Sequence, residues 1–82
     1  MKNKVLKYEE MKALKSFLRE NNITYRKLGR LIGMGFNTLC LKLNGYSEFT
    51  VPEMEAIVSV CGIKENQIIP LFFPRLLRNV TN

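Results

Sequence analysis

The sequence has no histidine, no tryptophan and no aspartate, and only two cysteines and three prolines in 82 residues. Each scarcity closes off a class of chemistry. Without histidine or a Cys-x-x-Cys pair, a zinc site lacks its usual ligands, and neither metal nor cofactor is expected. Without histidine or paired aspartates, acid–base and nucleophilic catalysis have few groups to work with, so the chain does not read as an enzyme. GMGFNT, residues 33–38, carries two glycines but follows a helical pattern, whereas a nucleotide-cradling loop follows a strand. Cys40 and Cys61 each sit in an apolar periodic run, where a lone thiol acts as a small hydrophobe. Long apolar runs are also missing. The greasiest stretch, 68–77, is broken by Pro70, Pro74 and Arg75 and is too short for a bilayer. The opening MKNKVLKYEEMK lacks the apolar core of a secretion signal. These gaps point to a cytoplasmic protein with reduced thiols, no membrane segment and no evident small-molecule ligand.

What is present describes one small globular domain. The length allows a single core, and a hydrophobic share of 46% is too high for a disordered chain. The net charge of +6 lies unevenly. Residues 1–30 hold nine Lys or Arg against Glu9, Glu10 and Glu20, whereas the remainder holds four against four Glu. All the excess positive charge therefore belongs to the first 30 residues. A basic half on a small domain suggests a polyanionic partner, most often nucleic acid, and the competing reading is a solvated lysine-rich surface.

The pattern is helical throughout. Met11, Leu14, Phe17 and Leu18 mark an amphipathic helix over Tyr8–Asn21. Thr24 is placed to cap a second helix, Tyr25–Ile32, which buries Leu28 and Ile32 and stops at Gly33. A third runs from Phe36 to Leu43 or Asn44 and closes on Gly45. Thr50 and Glu53 form a capping box, with Pro52 in the first turn of a fourth helix reaching about Cys61 and stopping at Gly62. That helix buries Met54, Ile57, Val58 and Cys61. A short fifth helix spans about Glu65–Ile69. One rival is a β-hairpin, because LCLKL and YSEFTV alternate around Asn44-Gly45. The capping box at Thr50 claims the second strand for a helix start, and a lone hairpin is marginal beside a helical domain.

Helices two and three carry the specific signal. Two helices cross steeply over a short turn only where a small residue permits close approach and the chain can reverse. Gly29 supplies the first condition and Gly33 the second, with positive φ. Leu28, Ile32, Met34 and Leu39 form the wedge between them. This is the spacing of a helix-turn-helix.

The stretch ITYRKLGRLIGMGFNTLCLKLNG, residues 23–45, resembles the helix-turn-helix of the Cro and lambda-type phage repressors and the wider xenobiotic-response-element-like regulators. GMG at the turn, NG after the third helix, the Thr50 helix start and the IKENQII end all contribute, and the likeness covers about residues 8–73. The resemblance implies an all-α, compact five-helix DNA-binding domain over 1–73, with its helix-turn-helix at about 24–44. Residues 74–82 would form a C-terminal tail. It further implies that Phe36, Asn37, Thr38 and Leu41 face DNA bases, and that Tyr25, Arg26, Lys42, Asn44 and Tyr46 hold phosphates. Asn can bond both N6 and N7 of adenine, while Phe36 and Leu41 can pack on thymine methyls, so an A/T-leaning half-site is expected. Thr38 can reach a base or a phosphate. Two positions depart from the family pattern. Gly35 stands where Ser or Thr usually caps the reading helix, and Lys42 stands where an apolar residue usually locks it down. The second departure leaves Leu41 and Lys42 as alternatives for the base-facing residue.

The expected function is therefore a sequence-specific transcriptional regulator, a phage or prophage repressor or Cro-like protein that occupies a double-stranded DNA operator. It would act as a homodimer, at least on DNA, with Leu71, Phe72, Phe73, Leu76 and Leu77 either joining two copies or folding back on the core. The alternatives are an antitoxin-like protein-interaction module of the same fold and a basic amphipathic protein at a membrane surface.

Overall fold

The computed structural model describes residues 8–80, with side chains through residue 77. It consists of α1 (Lys12–Glu20), α2 (Tyr25–Ile32), α3 (Phe36–Leu43), α4 (Val51–Cys61), a 3-10 turn (Glu65–Gln67), α5 (Ile68–Phe72) and α6 (Pro74–Val80). The described residues contain no strand, which removes the hairpin alternative. Asn44 and Gly45 instead finish a helix. The Asn44 N–H donates to the Cys40 carbonyl, the Tyr46 N–H donates to that of Leu41, and Gly45 takes φ 92°. There is one helix more than expected, because residues 74–80, read as a tail, are helical themselves.

The first helix starts at Lys12, four residues later than the apolar spacing suggests. The reason is a tertiary competitor for the backbone. The Tyr8 N–H donates to the Gly45 carbonyl and the Met11 N–H to the Leu43 carbonyl, each at 2.9 Å. Residues 8–11 thus form a non-helical strap that satisfies carbonyls left open at the end of α3.

The α2–α3 connection follows from its glycines. Thr24 caps α2 by accepting the Lys27 N–H at 3.1 Å. Gly33 ends that helix in the left-handed region, φ 73°, and the Met34 N–H donates back to the Gly29 carbonyl at 2.8 Å. Gly29 is buried where the returning chain passes. A β-carbon built there would lie 2.6 Å from the Met34 carbonyl oxygen and 4.0 Å from Leu39. The close approach excludes a side chain.

At α4, Thr50 accepts the Glu53 N–H at 3.2 Å while Glu53 Oε1 accepts the Thr50 N–H at 2.9 Å, and Gly62 closes the helix at φ 66°. Leu14, Leu18, Leu28, Leu39, Leu43 and Ile57 are fully buried, and Phe49, Ile63, Leu71 and Phe72 complete the core. α3 packs between α1 and α2, while α1 also packs on α5, α2 on α4, and α5 on α6. Of the five apolar residues expected either to join two copies or to fold back, Leu71 and Phe72 therefore lie in the core. Phe73, Leu76 and Leu77 remain exposed.

Candidate functional site

α3 is divided along its length. Leu39 and Leu43 point into the core, whereas Phe36, Asn37 and Thr38 are exposed on the first turn. Gly35 caps the helix with extended backbone and no side-chain bond to it. A glycine cap costs only a few tenths of a kcal/mol relative to Ser or Thr. It leaves the first-turn N–H groups without a competing side chain, at the positive end of the helix dipole. The Asn37 amide meets no partner among the described residues, so all its donors and acceptors face outward.

Phe36 is 37% exposed, yet it is not free. The Arg26 guanidinium carbon lies over its ring, 4.1 Å from the centroid. The pair joins the first turn of α2 to the first turn of α3 and borders a concavity lined by Gly29, Arg30, Gly33, Met34 and Gly35. Nothing in the residue spacing distinguishes Arg26 from its neighbour Lys27. The stack becomes visible only once the two helix starts are brought together.

The far end of α3 differs from expectation at two positions. Lys42 was expected to hold a phosphate, but it is half-buried and its ammonium pairs with Glu53 Oε1 of α4 at 2.6 Å. Asn44 was assigned the same role, but its Oδ1 accepts a hydrogen bond from Lys15 Nζ, which also pairs with Glu10 Oε2 at 2.6 Å. Both side chains serve contacts within the fold. With Lys42 turned to Glu53, Leu41, which is half-buried, is the one of the two candidates left near the outer face. Tyr25 and Tyr46 are half-buried, and Arg26 is exposed at the α2 start. Arg19, Lys27 and Arg30 are exposed as well, and Arg30 borders the same concavity as Arg26 and Phe36.

The Glu53 carboxylate accepts from both Lys42 and the Thr50 N–H. Burial alone would push its pKa up. The Lys42 ammonium and the Thr50 bonds outweigh that and hold it below the ordinary carboxylate value of 4.5. A depressed folded-state pKa gives stability that is present above the unfolded value and lost as pH falls through the folded one. Glu53→Gln is therefore expected to lower stability at pH 7 by about 1 kcal/mol. It should also flatten the loss of stability on acidification below pH 4.5. Urea midpoints measured from pH 7 to pH 2 check both, and parallel wild-type and variant curves would count against the pairing.

At Glu10, which is half-buried, the hydrogen bond and charge of the Lys15 ammonium lower the pKa. Burial raises that of the Cys61 thiol. Among the described residues no group of His, Cys, Asp or Glu could hold a metal ion, and no helix is long and apolar enough to cross a membrane. Compared with known proteins, the chain matches no protein-family model, no curated protein and no solved structure.

Proposed function

We propose that this protein is a sequence-specific double-stranded DNA-binding regulator of helix-turn-helix type, which lays α3 in the major groove and presents its first turn to base edges. The observation that carries the reading is the outward first turn of α3. The Gly29–Met34 approach and the Gly33 reversal leave Phe36, Asn37 and Thr38 exposed at the helix N-terminus, beside exposed Arg26 and Arg30. A reading helix contacts bases with its N-terminal residues while the preceding helix crosses the backbone. The amide at that turn has no partner among the described residues, the aromatic beside it stays partly exposed under Arg26, and both suit base edges.

In this reading Asn37 bonds an adenine through N6 and N7, the Phe36 and Leu41 side chains pack on thymine methyls, and Thr38 reaches a base or a phosphate. The α2 N-terminus with Tyr25, and the Tyr46 hydroxyl, hold phosphates. Two copies on half-sites about 34 Å apart double the contacts, and exposed Phe73, Leu76 and Leu77 supply an apolar surface for joining them.

Selection from random duplexes tests the proposal directly. The expected product is a two-fold symmetric, A/T-leaning site, with an affinity whose logarithm falls steeply and linearly with log salt. Asn37→Ala should weaken binding to that site by about 5- to 150-fold, with little change on scrambled duplex. No enriched sequence together with a shallow salt dependence would overturn the reading and favour the antitoxin-like one, in which the same face meets a protein.

A further inference from the structure

Resting on the reading just given, we infer that Arg26 selects a base, a guanine adjacent to the thymine whose methyl meets Phe36, and does not serve as a phosphate contact. The Arg26 guanidinium carbon lies over the Phe36 ring, 4.1 Å from its centroid, a contact with the π face that commits none of the cation's donors to an oxygen or nitrogen acceptor. The hydrogen-bond donors of arginine lie in a fixed fork. No carboxylate or carbonyl among the described residues accepts from it. Stacking therefore aims the fork without consuming it, and it removes much of the rotamer freedom that arginine would otherwise lose on binding.

Location decides what the fork meets. Arg26 belongs to α2, the helix that crosses the sugar–phosphate backbone, but its charge is drawn to the first residue of α3. A cation held beside the side chain that meets thymine is offered a neighbouring base edge. Guanine O6 and N7 are the paired acceptors that an arginine fork fits, whereas adenine would set its N6 amino donor against the same cation. Phe36 in turn has one face covered by Arg26, so it meets thymine with its edge or its opposite face. The two side chains form one reading unit, and the half-site contains a guanine–thymine neighbour pair within an otherwise A/T-leaning sequence.

The test uses the full chain, with duplexes selected by the wild type and by Arg26→Lys and Phe36→Leu. Arg26→Lys keeps the charge and loses the fork. Circular dichroism melts confirm that each variant is folded, as expected for two exposed positions. Wild-type protein should prefer guanine at one position per half-site by about 5- to 150-fold, and Arg26→Lys should reduce that preference to near unity while leaving the adenine position intact. Phe36→Leu should weaken the same guanine preference, because the fork loses its support. The double variant should lose little more than either single one. A guanine position unchanged in Arg26→Lys, or affinity lowered uniformly on all duplexes, overturns the assignment and returns Arg26 to the phosphates. Failure of the wild type to select any sequence overturns the DNA-binding reading itself, a distinguishable result.

Discussion

Gly29→Ala is expected to lower the melting temperature by about 4–16 °C, although alanine is the better helix former. The added methyl would stand 2.6 Å from the Met34 carbonyl oxygen. That oxygen belongs to backbone that cannot swing aside, since the Met34 N–H is itself bonded to the Gly29 carbonyl. Relief requires the turn to move away from α2, pulling α3 with it. Overpacking of a tight site costs about 1–3 kcal/mol, and the rigid obstacle puts this case at the upper end. Up to about 1 kcal/mol returns through helix propensity, leaving a net loss of about 1–2 kcal/mol. Gly33 supplies the contrast. It has open space around it and a φ of 73°, so L-alanine there costs backbone strain of about 1–2 kcal/mol. D-alanine introduced at 33 by chemical synthesis should cost almost nothing. Thermal melts of the three variants separate room from conformation. An unchanged or raised melting temperature for Gly29→Ala would refute the close approach.

The largest stability effect is expected at Leu39. Its side chain is fully buried, lies beside the Gly29 crossing and anchors α3 between α1 and α2. Truncation to alanine should cost about 2–5 kcal/mol, a large part of the roughly 4–12 kcal/mol available to a domain of this length. Leu41→Ala, at a half-buried position two residues along, should cost less than half as much. The comparison measures the rotation of α3 about its axis, the property on which every assignment of an outward residue depends. Urea titrations with a common m-value give both numbers. Similar losses at 39 and 41 would mean that α3 is turned away from the orientation described.

Local signals and distant ones fared differently. The bounds of α2, α3 and α4 follow from neighbours within five residues: Thr24 and Thr50 as caps, Gly33 and Gly62 as left-handed stops, and apolar residues at helical spacing. Those features act through the chain's own backbone, so the sequence displays them. The start of α1 did not show, because the partners that hold Tyr8 and Met11 out of the helix are the Gly45 and Leu43 carbonyls, more than thirty residues away. The internal partners of Lys42 and Asn44 did not show for the same reason. On α3 alone each is a polar residue near a helix end, and only the approach of Glu53 and Lys15 turns them inward. The helical nature of 74–80 was obscured by Pro74, which reads as a breaker but occupies the first position of α6, where its missing N–H costs nothing. Exposure of Phe36 and Asn37 was legible from the glycine spacing, whereas the contact of Phe36 with Arg26 was not.

The strap at residues 8–11 ties the back end of α3 to the segment that leads into α1. Tyr8 and Met11 hold the Gly45 and Leu43 carbonyls, and Lys15 grips Asn44. A bulky tag or surface tether joined at the amino terminus would thus load α3 through its last turn, while one joined beyond α6 would not. Immobilised binding assays on the two orientations should therefore disagree, and the carboxyl-terminal attachment is the one that leaves the grip undisturbed.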